Sequence, residues 1–162
     1  MKTHRNLSFA ALALLSASAF ASGPHAGGHD HSETDAIGKA GVAGQAKRTV
    51  KIDMADSMRF TPADIAVKQN ETVRFVISNS GKVRHEFALG TPAELKEHYE
   101  LMKKNPEMEH ADANMVTVDP GKTAEVVWQF TRPGKVDFAC LQPGHYDAGM
   151  KGGVTVAKLG AK

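Results

Sequence analysis

From Val50 onward, apolar side chains recur at every second position in short runs separated by Gly, Pro and Asn. A two-residue period belongs to strands, whose successive side chains point to opposite faces, and it argues against a helical core. Val50 and Ile52 open the series. Val73, Phe75 and Ile77 continue it as far as Asn79-Ser80-Gly81, a turn signal. Val116 and Val118 run into Pro120-Gly121, and Val126, Trp128 and Phe130 precede Pro133-Gly134. Val136 and Phe138 lead directly to Cys140, and Val154 and Val156 close the pattern. The expected fold is an all-β sandwich of about seven or eight strands in roughly 110 residues, with no internal repeat.

One segment breaks the alternation. Thr91-Pro92-Ala93-Glu94 offers an N-cap, a proline at the first helical position and a glutamate that completes a capping box. A helix should run from Pro92 to about Lys104, where Asn105-Pro106 stops it. Leu95, Tyr99 and Met102 give it one apolar stripe. Residues 91–114 therefore read as a short helical insertion between strands.

The amino-terminal part is of another kind. Lys2 and Arg5, an apolar run from Phe9 to Leu15, and the small-residue site Ala19-Phe20-Ala21 read as a secretory signal cleaved after Ala21. The apolar run is far short of the roughly 20 residues that a membrane span requires. Residues 22–46 are rich in Gly, Ala and Ser and lack aromatic residues, a composition that cannot offset its ordering entropy, so they read as a flexible tail. The folded domain is then expected over 47–162. The whole sequence carries 20 basic and 18 acidic side chains, and loss of Lys2 and Arg5 leaves 18 of each sign. That balance gives no electrostatic case for nucleic-acid binding.

The lone cysteine, Cys140, cannot form an internal disulfide, and a free thiol in an oxidising compartment calls for an explanation. Metal ligation supplies one; a small buried side chain is the alternative. The loop from Cys140 to Met150 favours the metal, because it also carries His145 and Met150, with Pro143-Gly144 and Gly149 placed to fold it back sharply. With His85 from a separate strand, the set is two imidazoles, one thiolate and one thioether. Such a set suits a blue-copper site, since Cu(I) prefers soft sulfur and Cu(II) accepts imidazole. Ligation removes the thiol proton, so affinity should fall as pH falls. A cysteine nucleophile with His145 as base is a competing reading that leaves Met150 without a role.

Asn79-Ser80-Gly81, His85-Glu86-Phe87, and Phe138-Ala139-Cys140 through Met150-Lys151-Gly152 resemble the cupredoxin family, over about Thr49 to Ala157. The resemblance implies a Greek-key β-sandwich with one type 1 copper per chain, held by His85, Cys140, His145 and Met150. Four residues separate Cys140 from His145 and four separate His145 from Met150, a spacing similar to the rusticyanin and auracyanin branch rather than the shorter plastocyanin loop. The resemblance also implies that the edge of His145 is an electron port, with Leu141 and Pro143 as apolar neighbours. Many family members carry Ser or Thr directly after the cysteine; Leu141 departs from this, so potential and colour do not carry over.

Further histidines and methionines lie outside that set. His98 and Met102 can share a helix face, with Met108, His110 and Met115 following in the insertion, and Cu(I) accepts both residue types. Alternatively, Met102 belongs to the apolar stripe and His98 and His110 are solvated. In the tail, His25, His29 and His31 are expected to bind copper only loosely, because Pro24 lacks the amide that a tight amino-terminal site needs.

The reading that follows is an exported, periplasmic, monomeric protein that transfers single electrons with redox partner proteins. The alternative is copper tolerance, in which it binds, oxidises or passes on excess copper; the histidine-bearing tail and methionine-bearing insertion resemble periplasmic copper-tolerance cupredoxins. An enzyme is not expected: the chain has no Gly-rich phosphate loop, zinc-protease motif or nucleophile elbow, and its one His-x-His is His29-Asp30-His31.

Overall fold

The structure, a computed structural model, describes residues 34–108 and 112–160. The proposed signal segment, His25, His29, His31 and His110 lie outside the described residues.

Among the described residues, ten strands form two five-stranded sheets packed face to face. In chain order a short helix α1 (Thr34–Ile37) is followed by β1 (Lys39–Ala40), β2 (Arg48–Ala55), β3 (Arg59–Thr61), β4 (Asp64–Lys68), β5 (Thr72–Asn79) and β6 (His85–Gly90). Helix α2 (Pro92–Lys104) then leads to β7 (Met115–Val118), β8 (Thr123–Gln129), β9 (Gly134–Ala139) and β10 (Lys151–Ala157). One sheet runs β1-β8-β5-β2-β3 and the other β4-β10-β9-β6-β7. Two pairings are parallel, β2 with β5 and β4 with β10, and the others are antiparallel. This is the expected all-β sandwich, with ten strands rather than seven or eight.

The alternating residues named from sequence form the core. Ile52, Val73, Phe75, Ile77, Val126, Trp128, Val136, Phe138, Val154 and Val156 are all buried between the sheets. Phenylalanine rings pack edge to face, Phe60 against Phe138 with centroids 5.1 Å apart at 81° and Phe75 against Phe130 at 6.2 Å and 86°. That is the arrangement which ring quadrupoles favour.

The sandwich begins earlier than composition suggests. Within the stretch read as tail, Ile37 is buried, its carbonyl accepts from Trp128 Nε1 at 3.1 Å, and β1 pairs with β8. Lys39 and Ala40 form structure here although neither is a strong strand former, because a two-residue edge strand with exposed side chains asks only for backbone partners.

The insertion helix matches its reading closely. Thr91 accepts from the Glu94 amide, Glu94 Oε2 accepts from the Thr91 amide at 2.6 Å, and Leu95, Tyr99 and Met102 are the buried residues. They meet Ala88 of β6 with Ala139 and Leu141 of the β9 end, forming a second, smaller core outside the main one. The outer face of the second sheet is thereby covered over β6 and the end of β9, and β6 is buried at every position.

Candidate metal centre

Three connections gather at one end of the sandwich, and each is shaped by nearby sequence. After β5, Asn79 is buried and pins the following loop: its amide nitrogen donates to Val83 O and Val118 O, each at 2.8 Å, and its carbonyl oxygen accepts from Gly81 N at 2.9 Å. The Asn79-Ser80-Gly81 turn thus delivers His85 at the first position of β6. The β2–β3 turn brings Asp56 against the same loop, where its carboxylate accepts from the Lys82 amide at 2.8 and 3.0 Å. Gly81 makes this approach possible, since a Cβ there would lie 2.1 Å from Asp56 Oδ1.

The loop between β9 and β10 carries the remaining candidates. Gly144 and Gly149 both have φ of +86°, the left-handed conformation that favours glycine, as the expected sharp fold-back requires. Internal hydrogen bonds hold its shape, from His145 N to Gln142 O and from Met150 N to His145 O, both at 3.0 Å. Cys140 N donates to Met150 O at 3.1 Å and closes its base.

These segments bring three of the four named donors to a point. His85 Nδ1 and His145 Nδ1 are 3.2 Å apart, Cys140 Sγ lies 3.3 Å from His145 Nδ1, and it lies 4.0 Å from His85 Nδ1. A trigonal set with bonds of about 2.0–2.3 Å separates its donors by about 3.5–4.0 Å. The observed triangle is close to that size. Met150 is fully buried in the same core cluster as Cys140 and is tied by backbone bonds to Cys140 and His145. Among the described residues this is the one cluster of His, Cys, Asp or Glu donors suited to a metal ion.

The electrostatics fit a cation. His85 Nε2 lies 3.3 Å from Asp56 Oδ1, so its proton belongs on Nε2 and the Nδ1 lone pair faces the triangle. Burial, reinforced by neighbouring His85, holds the His145 imidazole below its usual pKa and keeps it neutral. Burial pushes the Cys140 thiol up to about 12, although the amides of Glu86 and Gln142 pull it down. The Glu86 amide donates directly to Sγ at 3.3 Å. Two imidazole nitrogens and a buried sulfur converge here, a donor set that suits a soft cation.

The sequence reading missed the groups behind these donors. Asp56 has no local signal, because its partner is 29 residues away in sequence. Glu86 is flagged only by its place beside His85 in an apolar strand. It is 1% exposed, accepts from Thr117 Oγ1 and from the Leu141 amide, and is pushed up to about 7 by burial. Leu141 requires a correction: it is fully buried in the second core, so it does not flank His145 at the surface, whereas Pro143 is exposed. Met102 is likewise buried at 1% exposure, as its apolar stripe implies, and Met115 packs half-buried against the same cluster.

The model of the copper-binding protein family described as plastocyanin/azurin matches residues 46–157. The chain belongs to this family. It is a cupredoxin, and copper is its cofactor. This cupredoxin is 52% identical over 132 residues to the copper-resistant cuproprotein CopI of Rubrivivax gelatinosus, a match covering 82% of this chain and 80% of the relative. It is 39% identical over 150 residues to the protein of the same name from Pseudomonas aeruginosa, covering 75% of this chain and 82% of that one. Among solved structures, auracyanin B superposes with a TM-score of 0.63 at 24% identity over 75% of this chain and 96% of its own, a likeness of fold. No helix among the described residues is long and apolar enough to cross a membrane.

Proposed function

We propose that this cupredoxin binds a single copper through His85, Cys140, His145 and Met150 and serves copper tolerance in the periplasm by one-electron cycling of that copper. The observation that carries the reading is the convergence of two Nδ1 atoms and Sγ within 3.2–4.0 Å of one another at the end of the sandwich. The tolerance role draws on the relatives, which are named copper-resistant cuproproteins. Bound copper would supply the Cu(II)/Cu(I) couple. The residues of the chain do the rest. Cys140 gives up its proton to become the thiolate, His85 is oriented by Asp56, and the Glu86 amide stabilises charge on sulfur. Met150, fully buried in the main core, would contribute a thioether.

Simple electron carriage with a periplasmic partner is the second reading. The half-buried state of His145, beside fully buried His85, Cys140 and Met150, favours it, since one ligand then offers an edge to a partner. Export belongs to the proposal in either case, with Met1 to Ala21 as the leader and the folded domain beginning near Ile37. Neither reading is enzymatic.

The experiment is a titration of the mature protein with Cu(II) and then Cu(I), following visible absorption and bound metal together. One strongly coloured equivalent supports the four-residue site, and a colourless product would refute it. Deleting the gene then separates the two roles. Copper sensitivity that rises on deletion supports tolerance, and unchanged sensitivity leaves electron carriage.

A further inference from the structure

Helix α2 does more than cover a sheet. Leu95 and Met102 of its buried stripe are apolar, but Tyr99 carries a hydroxyl into the second core, and that hydroxyl reaches the ligand loop at two points. It accepts from the Gly144 amide at 3.0 Å and donates to Asp147 Oδ2 at 2.8 Å. Gly144 immediately precedes His145 and Asp147 lies two residues beyond it, so the two bonds bracket the imidazole along the chain. The phenol ring stacks on Tyr146, with centroids 4.9 Å apart and planes at 26°. Lys151 Nζ lies 3.5 Å from the Tyr146 ring centroid, and Lys103 Nζ lies 4.9 Å from that of Tyr99. One side chain from the insertion therefore contacts residues on both sides of His145.

We infer that Tyr99 is a positioning residue of the metal centre, and that the insertion exists to hold His145 in place from outside the sandwich. The inference rests on the reading of His145 as a ligand. The bonds from His145 N to Gln142 O, from Ala148 N to Gly144 O and from Gly149 N to Tyr146 O lie within the loop, so they set its shape but not its place. Its place is set by bonds to the rest of the molecule. Arg59 donates to Ala148 O at 3.0 Å, and Tyr99 holds the stretch that bears the imidazole. A ligand ordered before metal arrives need not lose freedom on binding, and it moves less when the metal changes charge. In this arrangement the helix that the sequence offered as an auxiliary copper site acts instead through its tyrosine.

Tyr99→Phe tests this, because it keeps the ring, the stack and the burial while removing both hydrogen bonds. In the metal-free protein, amide hydrogen exchange at Gly144 should quicken about fivefold to tenfold, the factor that one ordinary net hydrogen bond supplies, with β5 and β9 unchanged. In the copper-loaded protein, release of copper to a chelator should quicken by a similar factor, with a shifted visible spectrum. Asp147→Asn, which weakens only one of the two bonds, should give a smaller change in the same direction, and it carries the test if Tyr99→Phe fails to fold. Unchanged exchange at Gly144 overturns the clamp. Faster exchange with unaltered copper release and spectrum overturns the positioning role. A wild-type chain that takes up no copper would instead overturn His145 as a ligand, an outcome that the Gly144 exchange result does not touch.

Discussion

At the residue scale, the four proposed ligands and the carboxylate behind one of them have separable consequences. Cys140→Ser replaces a soft donor by a hard one, so the intense thiolate-to-copper absorption should vanish; colour retained in that variant would sink the assignment of Cys140. Met150→Leu keeps the volume of a fully buried side chain and removes only the thioether, so copper should stay bound while its potential rises. Asp56 acts through His85. Its carboxylate is drawn to a lower pKa first by the Lys82 amide, and it faces His85 Nε2 at 3.3 Å as an anion that enriches the imidazole and favours Cu(II). Asp56→Asn should therefore raise the reduction potential by about 60 mV, a tenfold shift for one electron. Voltammetry that shows no shift would remove Asp56 from the site. Three of the proposed ligands were legible because residue type and the spacing of the Cys140 to Met150 loop mark them locally, and His85 through the turn before it. Asp56 was not, since nothing near it in sequence announces a partner in the β5–β6 loop.

At the scale of elements, burial on one face made several strands legible, although β4, which alternates as strictly, was not named. Strands β2, β5, β8, β9 and β10 bury one face more than the other, so their alternation survives in the sequence. Strand β6 does not alternate, because α2 covers its outer face and all six positions are buried. His85 was placed on a strand only through the turn before it. The capping box of α2 could be read outright, as its partners are three residues apart. Strand β1 left almost no trace, and the apolar signal nearest to it is Ile37 at the end of α1. If β1 and α1 truly belong to the sandwich, Ile37→Ala should destabilise the metal-free protein by about 2 kcal/mol, the lower end for a buried aliphatic at an edge. Urea unfolding measures this directly. A change within about 0.5 kcal/mol would return residues 37–40 to the tail.

At the scale of the whole molecule, backbone pairing fixes the segments that carry the candidate donors. Its donors stand on segments already fixed by other bonds: His85 on a strand paired with β7 and β9, Cys140 at the end of β9, and Met150 immediately before β10, with Asn79 pinning the connecting loop. The main core holds the aromatic cluster beside them. The pairing order of the two sheets, including the parallel β2–β5 and β4–β10 pairs, was beyond the sequence, because alternation identifies strands but not their neighbours. It is this order that brings residues 56, 85 and 140 to one end. Removing copper with a chelator should accordingly leave the far-ultraviolet circular dichroism and the cooperativity of unfolding intact. The stability lost should be only the linkage contribution, about 2.7 kcal/mol at a hundredfold excess over Kd. For a domain of this size that lowers Tm on the order of 10 °C. Loss of cooperative unfolding in the chelated protein would mean that copper organises the sandwich rather than settling into a place the chain has already made.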